Sequence, residues 1–484
     1  MKYVQLILCL LFVNLSLAFP QKTLTLDQAL EIAMQNSPDI QRSKLNLVRS
    51  SESLNAQKAA LKSKFSLSIN PFYFSRARQF NTFFNTWNTT ESKSSSADFR
   101  VIQPIEWTDG TLSLINRFQW QNSFSEYKNE RNKTFSNDLY LNYNQPIFTY
   151  NRTKLALKEL ELDLENASLS FSVQKLTLEY QVTQYFYDVY KKKLSHQIAI
   201  EEFHNQEQSY QIIKNKVDAG LEAKEELYQA ELNLANSKSK VKNTQVTLEY
   251  AVDNFKKITG IPIDEDIDVM ADVSHQTIQV NLNEALKSGL ANRMELRQRG
   301  IDIENAYDNL VKTMAQNEFK GEINLTYGVI GTDERFNDIY QVPTKNQQVQ
   351  LSFEIPLFDW GEKKSRIKAN EATIDSRKLS LTEEKKDIKI EIRQAYRTLE
   401  NLEVQIEIAR QNIKNAQLTY DINLERYKNG DLTSMDLNLY QTQLSEQKLG
   451  LVEALINYKL ALLDLKIKSL WDFEKNRAVL TGVK

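Results

Sequence analysis

Three histidines are all that the 484-residue chain offers for imidazole chemistry, and their placement argues against a site. His196 and His204 stand eight apart on a run of helical periodicity, so a metal held between them would need a third ligand nearby. His275 lies in a stretch of loop character. The one cysteine, Cys9, sits inside an N-terminal apolar run, which leaves the rest of the chain without a thiol nucleophile, a disulfide framework or a Cys metal site. No GxxxxGK[ST], GxGxxG, HExxH or GxSxG string occurs. We therefore expect no enzyme, no cofactor and no metal centre. The acids that stand out are Glu226 and Asp436, each six residues beyond a glycine, Gly220 and Gly430. Those glycines suit a turn between helices, where positive φ is easiest for Gly. One reading of the acids needs no ligand: a carboxylate in the first turn of a helix is stabilised by the helix dipole.

The composition narrows the function classes further. With 61 basic and 63 acidic side chains the formal charge is −2, so the chain lacks the basic field that nucleic-acid binding requires. Only 12 Gly and 8 Pro occur, against an average near 7% and 5%, which predicts long unbroken elements. The 22 Phe and 21 Tyr exclude a wholly disordered chain. Lys2 precedes the apolar run VQLILCLLFVNLSL and Ser16-Leu17-Ala18, a small-x-small pattern, so residues 1–18 read as a secretory signal. Beyond residue 18 no apolar run is long enough for a transmembrane helix. If the chain spans a membrane, it does so with strands.

The elements that would position these residues come in two copies. LTLDQALEIAMQNSPDIQ at 24–41 aligns with VNLNEALKSGLANRMELR at 280–297, an offset of 256. QPIFTYNR at 145–152 aligns with IPLFDWGE at 355–362, and the segment around Gly220 with that around Gly430, both offset by 210. The first copy thus carries 46 additional residues ahead of Pro146. Leu26, Ala29, Leu30 and Ala33 share a helical face, with Thr25 or Asp27 as cap. Period-two alternation marks six strands, around Phe65–Ile69, Phe99–Trp107, Leu112–Trp120, Leu139–Ile147, Ile323–Val329 and Val349–Leu357, with a Ser, Asn and Thr-rich loop at 80–97. Trp87, Trp107, Trp120, Tyr73 and Tyr140 are candidates for aromatic girdles. Pro146 and Pro356 mark strand-to-helix joints.

Ile388, Ile392, Ala395, Leu399, Leu402, Ile406, Ala409, Ile413, Ala416 and Tyr420 step by 4,3,4,3, a heptad seam. The first copy keeps the register from Leu178 to Tyr210 with three polar entries, Lys192, His196 and Gln206. Helices from about 152 to 217 and about 362 to 427 would each be about 100 Å long at 1.5 Å per residue.

This arrangement resembles the TolC-like family of outer-membrane efflux channels. The residues that carry the resemblance are the joints QPIF (145–148) and IPLFDWGEKK (355–364), and the turns KVDAGLEAKEELYQAEL and RYKNGDLTSMDLNLYQTQL. The resemblance covers residues 24–472 and implies a mainly α fold with a β part, in which each tandem-duplicated protomer gives strands to a trimeric transmembrane β-barrel and antiparallel coiled-coil helices to a periplasmic tube. On that basis the chain divides into a signal peptide (1–18), an N-terminal periplasmic helical segment (19–62), barrel strands (63–148) and coiled-coil helices (149–279) of the first repeat, opening helices (280–320), strands (321–358) and coiled-coil helices (359–472) of the second, and a tail (473–484). The implied function is the exit channel of a tripartite efflux or type I secretion system in the cell outer membrane. The implied partners are two further copies, a periplasmic adaptor, an inner-membrane transporter and outer-membrane lipid.

The resemblance also assigns the turn residues. It implies that Asp436 contributes to a carboxylate ring at the periplasmic entrance, that Glu226 joins the network holding the entrance shut, and that Tyr427 is a gate residue. Two departures bear on this: Leu439 stands where a second acid would fall and Leu432 where a basic latch partner would. The family pattern supplies four strands per protomer, against six candidates here, so the extra pair around Trp107–Gly110 either enlarges the barrel or forms an accessory hairpin. The competing reading is a periplasmic coiled-coil adaptor or scaffold, which would carry one helical hairpin rather than two.

Overall fold

The computed structural model describes residues 22–83, 85–274 and 277–479. The expected signal sequence at 1–18 and His275 lie outside the described residues. In chain order the elements are β1 (Lys22–Leu24), α1 (Leu26–Asn36), α2 (Pro38–Ala60), β2 (Lys64–Asn81), β3 (Thr86–Ile105), β4 (Gly110–Ser125), β5 (Glu130–Ile147), α3 (Arg152–Asp218), α4 (Lys224–Thr259), β6 (Ile267–Val269), α5 (Leu282–Asn292), α6 (Met294–Met314), β7 (Lys320–Asp333), β8 (Thr344–Glu354), α7 (Glu362–Asn429), α8 (Ser434–Ser469) and a closing hairpin of β9 (Trp471–Asp472) with β10 (Arg477–Ala478). Two compact units divide the chain: one gathers Ser168–Leu296 and Glu383–Lys484 with the chain up to Asn46, the other Leu47–Ala167 and Arg297–Thr382.

In the first unit both repeats build the same motif. Thr25 starts α1 through a capping box with Gln28, and Asn281 starts α5 by accepting from the amides of Asn283 and Glu284. Small residues let these helices sit close to the long ones. At Gly289 an added Cβ would lie 2.5 Å from Ile392 Cδ1, so no larger side chain fits there without movement. Leu178, Val182, Phe186 and Val189 pack with Leu24, Phe255 and Val269 in one core. Ile388, Ile392, Leu399, Leu402 and Ile406 pack with Ala285, Tyr458 and Leu465 in the other. The seam is therefore a core, and β1 pairs in parallel with β6 beside it. Of the polar seam entries, His196 has a partner in the next helix, its Nδ1 lying 3.0 Å from Thr244 Oγ1.

The second unit holds one antiparallel sheet in the order β2-β3-β4-β5-β7-β8. The 46 additional residues are therefore a hairpin in the middle of the sheet, not an accessory. Its inner turn reaches the helix: Asp109, at φ 61°, takes the Thr153 amide at 3.0 Å and its hydroxyl at 2.6 Å, capping the start of α3. Residues 86–97, expected as loop, instead form the distal part of β3, because β2 and β4 flank it and satisfy its backbone rung by rung. Trp107 falls in the 106–109 turn, past the end of its strand.

Register assigns the two faces. The rungs Phe65–Val101–Leu114–Leu141–Tyr327 and Gln103–Leu112–Tyr143–Leu325–Val349 lie on one, apolar face. Asp98–Arg117–Asp138 crosses the opposite, polar face, where Arg117 Nε donates to Asp98 at 2.7 Å. A bulge between Asn70 and Tyr73 moves Tyr73 to the polar face. Tyr140 lies there as well, paired with Ile115, so neither can join an aromatic girdle on the apolar side.

Truncating the fully buried Ile392 to Ala should cost about 3 kcal/mol, the usual range for emptying a packed core site. Denaturant unfolding of the solubilised protein, followed by helical circular dichroism, measures it.

Candidate functional site

The residues expected to act at the helix turns gather in the first unit, and the backbone explains why. Gly220 has φ 73° and Gly430 φ 84°. After each glycine the next amide reaches back to the last helical turn: Leu221 N donates to Lys216 O at 2.8 Å, and Asp431 N to Arg426 O at 2.9 Å. Gly220 N and Gly430 N donate to Val217 O and Tyr427 O. This paired closure is the Schellman motif, which needs a left-handed residue where each glycine stands.

The two following helices start differently. Thr433 caps α8: its Oγ1 takes the Asp436 amide at 3.2 Å and donates to the Asp436 carboxylate at 2.8 Å. The exposed Asp436 carboxylate is thus held by its own helix start. Helix α4 begins at Ala223, which offers no side-chain cap. Its acid reaches across instead, and Glu226 Oε2 accepts from the Ser434 hydroxyl at 3.3 Å, tying one repeat to the other. Glu226 and Asp436 line one recess of about 310 Å³ together with Lys216, Glu222, Tyr427 and Leu432.

Tyr427 is the buried member, with 7% of its surface exposed. Its hydroxyl lies 2.9 Å from Ser209 Oγ on α3, and the Lys216 ammonium sits 5.9 Å from the centre of its ring. Burial pushes the phenol above its ordinary value, and the Ser209 bond opposes that rise. Gln206 adds a further tie between repeats, donating to Asn438 Oδ1 at 2.8 Å. The structure therefore brings Glu226, Asp436 and Tyr427 together, and adds Ser209, Lys216 and Ser434, which sequence reasoning did not single out. One signal was present: Gln206 occupies a seam position that Ala416 fills in the other copy, and a polar residue in an apolar seam calls for a partner.

At the strand-to-helix joints, Pro146 lies within β5 opposite Glu322, while Pro356 follows the end of β8. Each joint turns through residues of positive φ, Phe148 at 60° and Trp360 at 56° with Gly361 at 83°. Asp359 takes the amides of Gly361 and Lys363 at 2.9 and 3.0 Å, which caps α7 and holds its carboxyl below the usual range. Leu439, at the position lacking a second acid, is exposed. Among the described residues no group of three or more His, Cys, Asp or Glu side chains is placed to hold a metal ion. None of the described helices is long and apolar enough to cross a membrane.

Residues 285–467 match the family model described as outer membrane efflux protein. No curated protein matches the sequence. Among solved structures, the Campylobacter jejuni CmeC outer membrane channel superposes with a TM-score of 0.70 at 14% identity, over 93% of this chain and 88% of that one. VceC, an outer membrane protein from Vibrio cholerae, gives 0.66 at 13% identity, over 92% and 95%. The open state of the Neisseria gonorrhoeae MtrE outer membrane channel gives 0.64 at 13% identity, over 92% and 88%.

The folded state favours the neutral Tyr427 phenol, so the stability it lends is complete below the ordinary tyrosine value near 10 and drains as pH rises past it. Tyr427→Phe should cost about 1 kcal/mol at neutral pH through the lost Ser209 bond. It should also flatten the loss between pH 9 and 11. Thermal unfolding of both proteins across that range tests both effects.

Proposed function

We propose that the chain is an outer membrane efflux channel of the TolC-like kind, three copies of which form the exit duct of a tripartite export system and pass substrates that an inner-membrane transporter delivers through a periplasmic adaptor. Transport energy comes from the transporter, and no catalytic role is assigned to this chain. The observation that carries the reading is the sheet. Its six strands alternate in direction, and among the described residues its outer strands, β2 and β8, each keep one edge without a partner. An open edge cannot be left in hydrocarbon, where water is absent to satisfy its amides and carbonyls. Because β2 and β8 run in opposite directions, copies join edge to edge in an antiparallel ladder, and the barrel closes.

Three copies of the six-stranded sheet make eighteen strands. At about 4.8 Å between strands and a tilt of about 40°, the backbone cylinder is about 36 Å across, against about 24 Å for twelve strands. The helices support the same assembly. In the first unit Val404, Ile408, Leu418 and Ile422 are exposed apolar residues on the side of α7 opposite the buried seam, a face suited to a neighbouring copy.

At the turns, Asp436 is the entrance carboxylate in our reading. Three copies around a narrow axis focus negative potential and favour cations. Glu226–Ser434, Tyr427–Ser209 and Gln206–Asn438 hold the two repeats together at that end, in place of the salt-bridge latch that Leu432 and Leu439 preclude.

Electron microscopy of the full-length protein, extracted in detergent from the outer-membrane fraction, should show a three-fold hollow particle with eighteen strands. A soluble rod-shaped monomer or dimer would sink the duct and leave the coiled-coil scaffold. In planar bilayers Asp436→Ala should reduce cation preference; unchanged conductance and selectivity would remove the carboxylate ring.

A further inference from the structure

The apolar face of the sheet has two aromatic borders. At the end near the helices Phe148, Phe319 and Phe353 cluster, with centroids 5.3 and 5.5 Å apart. At the other end Phe118, Phe135 and Phe336 meet at 5.6 to 6.5 Å, and Trp120 pairs with Phe135 across β4 and β5. Along β5 the borders fall at the rungs of Ile147, opposite Gly321 and so in line with Phe353, and of Phe135. Twelve residues at about 3.4 Å, tilted by about 40°, put them about 31 Å apart, which brackets the apolar band of about 25 Å that an outer-membrane barrel presents to lipid.

Beyond the distal border the same face changes character. The next rung is Phe74–Lys93–Asn122–Lys133 and the one after it Arg76–Glu91–Phe124–Arg131, followed by Arg78 opposite Thr89. Five basic side chains therefore lie within about 15 Å of the border, at two residues per rung. The acids on this face are Glu91, bound to Arg76 at 3.3 Å, Glu126, which accepts the Thr89 amide, and Asp333, which accepts the Arg335 amide. Lys93, Arg131 and Lys133 are exposed and have no acid partner within 4 Å among the described residues. Lys133 and Arg131 lie instead against the rings of Phe135 and Phe124, at 4.9 and 5.9 Å, and Arg78 against Trp87 at 5.3 Å.

Two contrasts show that this is not ordinary strand polarity. The opposite face at the same height carries no cation: it is formed by Ser92, Ser94, Gln121, Ser123, Asn132 and Thr134, with the acid Glu130 one rung further. The rungs at the proximal border, Ile147–Gly321–Phe353 and Gln145–Ile323–Leu351, carry no charge on the lipid side. On the lipid-side face the cations gather beyond the distal border, with Lys345 opposite Val329 inside it, whereas Arg100 and Arg117 on the other face are paired with Asp98. A basic rim immediately outside an aromatic border stands at the depth of lipid headgroups, where each nearby Lys or Arg is drawn to anionic phosphate. The rings hold the ammonium and guanidinium groups at the border, and the missing acid partners leave them free for an external anion.

Resting on the channel reading above, we infer that Lys93, Arg131 and Lys133, with Arg76 and Arg78, form a collar that binds the phosphate groups of glycolipid headgroups in the outer leaflet. The test uses full-length trimer in neutral detergent, titrated with bisphosphorylated lipid A and with the same lipid stripped of phosphate. Native mass spectrometry counts bound lipid for the wild type and for Lys93→Gln/Arg131→Gln/Lys133→Gln. The wild type should retain the bisphosphorylated lipid at least tenfold more tightly than the stripped one, and the triple variant should lose that preference. Millimolar inorganic phosphate should not displace the lipid. Equal binding of both lipids, an unchanged variant, or displacement by inorganic phosphate would each overturn the collar. Microscopy before lipid is added separates this from failure of the channel: an intact three-fold particle without lipid preference refutes the collar alone, and no particle refutes the duct on which it rests.

Discussion

An unpaired strand edge costs little in water and several kcal/mol per group in hydrocarbon, and the other features of the sheet are arranged around that difference. The strands alternate apolar and polar residues so that one face tolerates lipid while the other stays wet. Their even number leaves outward-facing ladders of opposite direction on β2 and β8. A bulge between Asn70 and Tyr73 lies on β2, one of the two outer strands, and beyond it Phe74, Arg76 and Arg78 rejoin the lipid-side rungs. The protomer is incomplete by construction. In the channel reading proposed above, its stability belongs to the assembly.

Duplication supplies the helices economically, but the repeats have not stayed equivalent. The second copy keeps an apolar seam from Ile388 to Ile406, buried throughout. The first has traded seam positions for His196 and Gln206, each bonded to a side chain on another helix. The helix starts differ in the same way. Asp359 caps α7 from three residues away and Asn151 caps α3 as locally, taking the Lys154 amide at 2.7 Å, but α3 also takes Asp109, on a hairpin that only the first repeat possesses. A start that is held locally in one copy gains a remote partner in the other.

That difference explains what could be read from the sequence. Periodicities are local, so the heptads, the six alternating strands and the Schellman glycines were legible before any coordinates. Thr25 and Asp27 were equal candidates for a cap until the structure showed Thr25 in a capping box with Gln28. Residues 86–97 escaped because Ser, Thr and Asn populate both faces, and composition resembles loop until the neighbouring strands are known. The turn recess was half legible: Glu226, Asp436 and Tyr427 follow from their spacing to the glycines and from resemblance. Ser209 and Tyr427 lie 218 residues apart, and nothing in either local pattern announces the other. The aromatic candidates divided for the same reason. Trp120 stayed on the lipid side, while the bulge moved Tyr73 to the other face.

The added hairpin, β3 and β4, has a consequence for how such proteins diversify. Inserting one hairpin adds two strands, so the directions of the first and last strands are preserved and the rules for joining copies do not change. A single inserted strand would give both edges the same direction, so that copies could join only through a parallel pair. Circumference can therefore be inherited in steps of one hairpin per copy, without touching the coiled-coil register or the helix turns. Lineages drawing on one ancestral repeat could widen or narrow the ring of strands while leaving the helical half untouched.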